Sequence, residues 1–242
     1  MTKKLWGGRF KKETDKDFFE FQKSIHYDYR LAKQDILHSR IHIMALRKAG
    51  ILTGREEKRL NSALMQISRE VENNRFKPDR NSEDIHTDIH NKIEKKVGKL
   101  AHKLHTLRSR NDQIVFDEKG YCRVQAEVIA ENLDKVLLSL KSLGNKYKNF
   151  HIVGYTHTQR AQIISLQDYL GAFISMLARD RERLINFAEN LVVYIGAGAL
   201  KGSSLGKEYN NSLKDLFERH GKKRKIAVTD SPVDNVSDRD FM

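Results

Sequence analysis

The residues best able to do chemistry lie in one stretch, KLHTLRSRNDQ, which runs from Lys103 to Gln113. Its last six residues, Arg108 to Gln113, comprise two arginines, a serine, an asparagine, an aspartate and a glutamine. A guanidinium fork can take both oxygens of a carboxylate at once, so the stretch is suited to a substrate that carries carboxylates. The alternative interpretation is a solvated polar loop that precedes a helix.

A second polar cluster, GYTHTQRAQ, spans Gly154 to Gln162 and is predicted to open a long helix. His157 stands there between Thr156 and Thr158. A neutral imidazole at a positive helix N-terminus can take or give a proton, and the two hydroxyls can bind substrate oxygens. Alternatively, one threonine caps the helix and His157 faces solvent. Two such clusters at the ends of long helices predict a single site assembled by a helical bundle.

Neither metal nor phosphate binding is predicted. His86 and His90 stand four residues apart on a predicted helix, but no HExxH motif and no cysteine ligand accompanies them. His102 and His105 are interpreted as packing or polar-face residues. The glycine-rich run Gly196 to Ser204 lacks the GK[ST] ending of a phosphate loop, and no strand–loop–helix setting is expected around it.

The composition predicts a helical, globular, cytoplasmic protein. The 242 residues are 39% apolar and 32% charged, enough for one large or two modest domains. No apolar run approaches the roughly 20 residues that span a bilayer, and MTKKLWGGRF lacks the apolar core of a secretory signal. The single cysteine, Cys122, excludes an internal disulfide and suits a reducing compartment.

The net charge of +13 raises the question of a nucleic-acid partner. The basic residues are spread along the chain, however, and form only one dense run, Lys222 to Lys225. The sequence also lacks zinc-ligand spacing and aromatic RNA-binding motifs. A diffuse positive field suits a small polyanionic substrate better, so no nucleic acid and no membrane are expected as partners.

Long helices are predicted over residues 113–150 and 155–191, because no proline occurs between Pro78 and Pro232 and apolar residues repeat in a heptad rhythm. The two seams are Ala126, Ile129, Leu133, Val136, Leu140 and Leu143, then Leu166, Leu170, Phe173, Leu177, Leu184, Phe187 and Leu191. Shorter helices are expected over 28–49, ending at Gly50, and from Thr53 onward. Only IVGY and LVVYIGAG are candidate strands, so the fold class is all-α.

Seven motifs resemble, in content and order, those of the argininosuccinate lyase family in the fumarase/aspartase superfamily. They are LWGGRF, SIHYD, EDIH, LHTLRSRNDQ, GYTHTQRAQ, GAGAL and VSDRDF. The resemblance implies a bundle of long helices with a smaller N-terminal helical domain, here residues 1–110, followed by an incomplete central bundle domain, residues 111–242. It also implies a homotetramer.

The resemblance further implies a carbon–nitrogen lyase of arginine biosynthesis, which splits argininosuccinate into arginine and fumarate without a cofactor or metal. The implied catalytic acid/base is His157, which protonates the leaving guanidinium nitrogen. The implied substrate-binding residues are Ser24, Asp28, Ser109, Arg110, Asn111, Thr156, Gln159 and Arg239.

The chain departs from the family pattern at three positions: the family normally has glycine at Leu107, glutamate at His90 and proline at Ile163. The family's GSSxMPxKxN loop, which carries the serine that removes the carbon-bound proton, does not occur in these 242 residues. We therefore expect the chain to match roughly the N-terminal half of the enzyme and to be inactive alone. The alternatives are another superfamily lyase, such as adenylosuccinate lyase, which RSRNDQ argues against, and a non-catalytic helical scaffold of the crystallin type.

Overall fold

A computed structural model describes residues 15–202, 206–220 and 225–241 and shows an all-α fold with two short strand pairs. The LWGGRF motif, most of the basic run at 222–225 and the end of the glycine-rich run lie outside the described residues. The helices are α1 (Lys16–Gln22), α2 (Ile25–Asp28), α3 (Ala32–Lys48), α4 (Gly54–Glu72), α5 (Ile85–Val97), α6 (Arg110–Lys146), α7 (Leu166–Asn190), α8 (Gly206–His220) and α9 (Pro232–Ser237), with 3-10 segments at Tyr29–Leu31 and Gly98–His105. The strands are β1 (His151–Thr156), β2 (Gln159–Ser165), β3 (Val193–Ile195) and β4 (Ile226–Val228).

The chain forms two compact units, one of residues 1–120 and 192–242 and the other of residues 121–191. The predicted division into an N-terminal helical domain, residues 1–110, and a central bundle domain, residues 111–242, stays a prediction. Among the described residues, none of the helices combines the length and apolarity that a membrane span requires.

The core of the first unit forms where α3, α4 and α5 pack together. Helix α4 begins at a capping box, in which Thr53 and Glu56 each accept from the other's backbone amide. Leu60, Leu64 and Ile67 lie one turn apart on its inner face and are 0% exposed. The predicted start and buried face of this helix are therefore confirmed.

The helical segment predicted over 28–49 is confirmed with one irregularity, the 3-10 turn Tyr29–Leu31 between α2 and α3. Gly50 follows the end of α3 with φ 77° and donates its amide to Arg47. Only glycine adopts this left-handed conformation without strain, which explains why the helix stops there.

The expectation that the glycine-rich run lacks a strand–loop–helix setting is wrong. β3 precedes it and α8 follows it, so a strand–loop–helix arrangement is present. β3 pairs in parallel with β4, with Val193 opposite Ile226. The loop's amides at Gly196 and Ala197 donate to the carboxylate of Asp112 at 3.2 and 3.3 Å, so they are already engaged inside the protein.

The long helix predicted over 113–150 is confirmed as far as Lys146, where α6 ends. The helix predicted over 155–191, in the second unit, is wrong at its start. Residues 151–165 form the antiparallel hairpin β1–β2, and α7 begins at Leu166 after the cap residue Ser165. The two-residue turn of this hairpin consists of His157 and Thr158. Their φ values of 47° and 61° are the left-handed pair of a tight hairpin turn. β-Branched residues on both sides of this turn favour strands over a helix.

Helices α6 and α7 run antiparallel within this unit. Arg181 Nη2 donates to Asp134 Oδ2 at 2.9 Å, and Gln167 bonds to Asn145 nearer the hairpin. Part of each predicted seam is buried, including Ala126 and Leu170. Other predicted seam residues remain well exposed: Ile129 (48%), Val136 (45%), Leu143 (42%) and Phe173 (40%).

Candidate functional site

Ser24 and Asp28 form a pair beside the N-terminus of α5. Ser24 Oγ donates to Asp28 Oδ2 at 2.6 Å, and the Ile85 amide donates to Asp28 Oδ1 at 3.2 Å. Burial raises the pKa of Asp28 above its usual value, although the Ser24 hydrogen bond opposes this. The pair is therefore held against the first turn of α5.

Arg110 reaches the same turn from the start of α6. Its Nε lies 3.2 Å from Asp84 Oδ2, and its Nη2 donates to Thr87 Oγ1 at 3.1 Å. Asp84 caps α5 by accepting from the Thr87 amide at 2.7 Å. The first turn of α5 thus links three of the predicted substrate-binding residues. Its Ile85 amide binds Asp28, which also binds Ser24, and its Thr87 hydroxyl binds Arg110.

The RSRND segment is also attached to the glycine-rich loop. Ser109 Oγ accepts from the Asn111 amide at 3.3 Å, and Asn111 Nδ2 donates to the carbonyl of Ala199 at 3.1 Å. The neighbouring Asp112 carboxylate holds the loop's amides and is 1% exposed. Burial raises its pKa to about 6, against the lowering effect of the bonds from Gly196.

Beneath this surface lies a buried polar network that sequence reasoning missed. His86 Nδ1 donates to Asp35 Oδ1 at 2.9 Å and lies 3.4 Å from Asp117 Oδ2, and Gln113 Nε2 also donates to Asp35 at 2.9 Å. Burial opposes ionisation of Asp35, but the His86 hydrogen bond and charge bring its pKa below the usual value. Burial and the neighbouring Asp35 raise the pKa of Asp117 well above normal.

A helical repeat of polar residues could have revealed this network. Asp35, His38, Ser39 and His42 recur on α3 at intervals of three, one and three residues, which places them on one face. All four are at most 1% exposed. Arg108 Nη1 donates to Ser39 Oγ at 2.8 Å, so the face that a sequence reader would assign to solvent instead supports the RSRND segment.

Within the described part of the chain, one group of three side chains has ligand atoms already close enough to share a metal ion: Asp35, His86 and Asp117, whose ligand atoms all lie within 4.8 Å of one another. His86 and Gln113 already donate to Asp35, and the positive charge of Arg108 acts on both carboxylates. The Asp35 carboxylate is therefore satisfied without an ion, whereas neither oxygen of Asp117 has a hydrogen-bond partner. The positive charge of Arg108 disfavours a cation beside both carboxylates.

A small cavity of about 10 Å³, roughly the room for one water molecule, lies beside this network. Its polar lining includes the side chains of His86, His90, His105, Arg108 and Arg110. The Asp35 carboxylate also lines the cavity, but the two guanidinium groups outnumber it, so the charge of the lining favours an anion or an uncharged polar group over a cation.

The remaining predicted site residues lie apart from this network in sequence. Thr156, His157 and Gln159 are all exposed at the tip of the β1–β2 hairpin, where Thr156 pairs with Gln159. The expectation that His157 sits at a helix N-terminus is wrong, because it occupies the hairpin turn instead.

Arg239, in the VSDRDF motif, contacts the side of α6 in the first unit. Its Nε lies 3.3 Å from Glu118 Oε2, and the adjacent Asp238 forms an ion pair with Lys119. The motif is therefore attached one turn or more along α6 from the RSRND segment.

Comparison with known proteins identifies the family. Residues 8–242 match the sequence model of a family described as lyase. An argininosuccinate lyase from Thermoanaerobacter sp. (strain X514) is 39% identical over 242 residues, which cover 99% of this chain and 52% of that enzyme. One from Clostridium kluyveri is 35% identical over 240 residues, 99% of this chain and 53% of that enzyme. The chain spans about half the length of the curated relatives it matches.

Solved structures share the fold at lower identity. A fumarate lyase:delta crystallin from Brucella melitensis matches with a TM-score of 0.67 and 15% identity, over 88% of this chain and 51% of that one. The class II fumarase of Schistosoma mansoni matches with a TM-score of 0.68 and 14% identity, over 93% and 55% of the two chains. The chain therefore belongs to the lyase family, and along its length it is similar to about half of an argininosuccinate lyase.

Proposed function

We propose that the chain supplies substrate-binding and acid–base groups to an argininosuccinate lyase, the enzyme of arginine biosynthesis that releases fumarate from argininosuccinate. The observation that carries the proposal is 39% identity to such an enzyme across 99% of this chain. The contacts that gather Ser24, Asp28 and Arg110 around one helix turn support it.

The reaction asks for two kinds of group. A base removes the proton from the carbon next to a carboxylate of the succinyl moiety, and negative charge then accumulates on that carboxylate. As the carbon–carbon double bond forms, the carbon–nitrogen bond breaks, and its electron pair goes to the guanidinium nitrogen, which takes up a proton. Hydrogen-bond donors stabilise the charge-rich intermediate, and a general acid assists the departure of nitrogen.

In this proposal the donors are Ser24, Ser109, Arg110, Asn111 and Thr156. Hydroxyl, amide and guanidinium groups can all point protons at a carboxylate, and Arg110 has an orientation that Asp84 and Thr87 restrict. Preorganised donors stabilise developing charge better than water does, because they need not reorient during the reaction.

His157 serves as the general acid, with Gln159 and Thr156 as its neighbours on the hairpin, while Asp28 and Arg239 position other groups. An exposed imidazole can exchange its proton with solvent after each turnover. We also propose that the active assembly is a homotetramer in the cytoplasm, as the resemblance implies.

A chimera tests the proposal. Residues 1–242 replace the matching region of the Thermoanaerobacter enzyme, and fumarate release from argininosuccinate is followed by ultraviolet absorbance. We expect turnover, and we expect His157→Asn to lower kcat by about 10²–10⁴-fold with little change in KM. His151→Asn, at an exposed histidine on the same hairpin, is the matched control and should leave kcat unchanged.

Adenylosuccinate serves as the competing substrate in the same assay. Turnover of adenylosuccinate in preference to argininosuccinate would assign the chain to a different lyase reaction. A chimera that folds and assembles but turns over neither substrate would support a non-catalytic scaffold and would contradict the proposal.

A further inference from the structure

The small cavity of about 10 Å³ beside the buried network is lined by four segments of the first unit. Helix α5 contributes His86 and His90, which stand one turn apart on the same face, and α3 contributes Ser39. Leu104 from the 3-10 segment and Arg108, two residues before α6, also line it. We call this space the arginine cavity, because Arg108 carries its least compensated charge.

The guanidinium of Arg108 has no carboxylate partner among the described residues. Its hydrogen bond there runs from Nη1 to the uncharged hydroxyl of Ser39, at 2.8 Å. Its Nε is shielded from solvent and has no hydrogen-bond partner. Arg110, the other guanidinium of the lining, differs in this respect, because its Nε lies 3.2 Å from Asp84 Oδ2. A shielded cation without a counter-ion carries a desolvation cost that a bound anion would relieve.

The two buried carboxylates of the network do not supply the missing counter-ion. Asp35 attracts the guanidinium, but the hydrogen bonds that Asp35 accepts come from His86 and Gln113. Burial and the negative charge of Asp35 raise the pKa of Asp117 well above its usual value, which disfavours its charged form. Burial also lowers the pKa of Arg108, against the attraction of Asp35. The positive charge beside the cavity is therefore only partly offset.

A second unpartnered group lines the same cavity. His90 is 7% exposed, and its Nδ1 is buried without a hydrogen-bond partner. Burial, followed by the charge of His102 and of Arg108, lowers the pKa of His90 to about 4, so its ring is neutral near neutral pH. A neutral imidazole carries one N–H, and with the proton on Nδ1 this atom is a donor. A cation and a donor thus border one small space.

We propose that the arginine cavity binds one monovalent halide ion of the chloride class, which serves as the counter-ion of Arg108 and accepts a hydrogen bond from Nδ1 of His90. A volume of about 10 Å³ holds roughly one particle of the size of water, and chloride is only slightly larger. Carboxylate, phosphate and sulfate groups are polyatomic and exceed this space. A water molecule would fit, but it would leave the guanidinium without a counter-ion.

Thermal unfolding of the untagged 242-residue chain in chloride and in gluconate tests the proposal. The two salts are compared at equal pH and ionic strength, so that screening of the net charge of +13 is the same in both. Gluconate is far too large for the cavity. A ligand that binds only the folded state raises the unfolding midpoint. Chloride at about five times its dissociation constant should therefore raise it by roughly 2–4 °C, and the effect should saturate.

Variants locate the effect. Arg108→Gln removes the charge and should abolish the difference between the two salts, whereas Arg40→Gln, at an exposed arginine on α3, should keep it. His90→Phe retains an aromatic ring but removes the N–H. The half-saturating chloride concentration should then rise at least about tenfold, as expected when a hydrogen bond to a charged group is lost. His26→Phe, at an exposed histidine, should behave as the parent does.

Circular dichroism verifies that the variants fold, and His90→Phe remains a test if Arg108→Gln does not. Bromide locates the ion directly, because it scatters X-rays anomalously. In crystals of the parent grown with bromide we expect a peak in contact with Arg108 and His90. Equal midpoints in chloride and gluconate would show that the cavity holds only water and would overturn the proposal. Unchanged chloride dependence in the folded cavity variants, or bromide peaks at the surface alone, would place the ion elsewhere and overturn it too.

Discussion

The Nδ1 atom of His86 lies 2.9 Å from Oδ1 of Asp35, and the two side chains are only 3% and 2% exposed. Asp117 Oδ2 lies 3.4 Å from the same nitrogen. The imidazole thus stands between two buried carboxylates from α3 and α6 and joins both helices to α5.

His86→Ala should therefore lower the free energy of unfolding by about 3–5 kcal/mol, because it leaves two carboxylates buried without their partner. Urea denaturation at neutral pH measures the change. His26→Ala, at an exposed histidine, should change it by less than about 0.5 kcal/mol. A loss of under about 1 kcal/mol for His86→Ala would show that the network is not stabilising.

Asp112 should make stability depend on pH. Its pKa is about 6 in the folded chain, compared with an ordinary value of 3.8. Between pH 3.8 and about 6 the folded chain therefore keeps a proton on Asp112 that the unfolded chain has lost. Its contribution is fully present below about pH 4 and is lost as pH rises through about 6, which is roughly 3 kcal/mol over the interval.

Asp112→Asn mimics the protonated carboxyl and should remove this part of the dependence of the unfolding free energy on pH. Denaturant unfolding of both proteins across that pH range gives the comparison, since other buried carboxyls contribute equally to each. Glu131→Gln, at an exposed carboxylate in the second unit, is the control. Parallel stability curves for the parent and Asp112→Asn would contradict the assignment.

Leu107 has φ 62°, a left-handed conformation that costs a non-glycine residue about 1–2 kcal/mol. Leu107→Ala loses apolar contacts and keeps the strain, whereas Leu107→Gly loses the contacts and relieves it. We expect the glycine variant to be more stable than the alanine variant by about 1 kcal/mol in thermal unfolding. At Leu104, which is buried and has an ordinary φ, the alanine variant should instead be more stable than the glycine variant.

Arg110→Lys should lower kcat/KM of the chimera by about 10²–10³-fold, because lysine keeps the charge but loses the planar fork that contacts Asp84 and Thr87. Steady-state fumarate release gives the value. Arg55→Lys, at an exposed arginine on α4, should leave it unchanged. An undiminished rate for Arg110→Lys would remove this residue from the proposed site.

The apolar side chains that α6 leaves exposed in the second unit should promote self-association. Ile129 and Val136 are 48% and 45% exposed, and burying each such side chain fully is worth roughly 1.5–3 kcal/mol. Sedimentation at micromolar concentration should show an oligomer that Ile129→Glu/Val136→Glu dissociates. Glu131→Ala is the control, and a compact parent monomer would contradict the prediction.

Local patterns in the sequence sufficed for much of this protein. The helix starts and stops at Thr53 and Gly50 follow from capping and left-handed φ, which are properties of a few neighbouring residues. The heptad rhythm after Leu166 likewise predicted α7. The RSRND and GYTHTQ motifs indicated the lyase family because the types and order of their residues are visible without coordinates.

Other features depended on contacts between distant segments, and only the tertiary structure decided them. The residues of GYTHTQ form a hairpin because their partner strand follows a two-residue turn, a pairing that helical periodicity does not report. The buried network joins Asp35, His86 and Asp117 across three helices, and the contact between the rings of His90 and His105 depends on how the segment after Gly98 folds back on α5. Side-chain spacing along one element is set by local geometry, whereas contact between elements is set by how their buried faces pack.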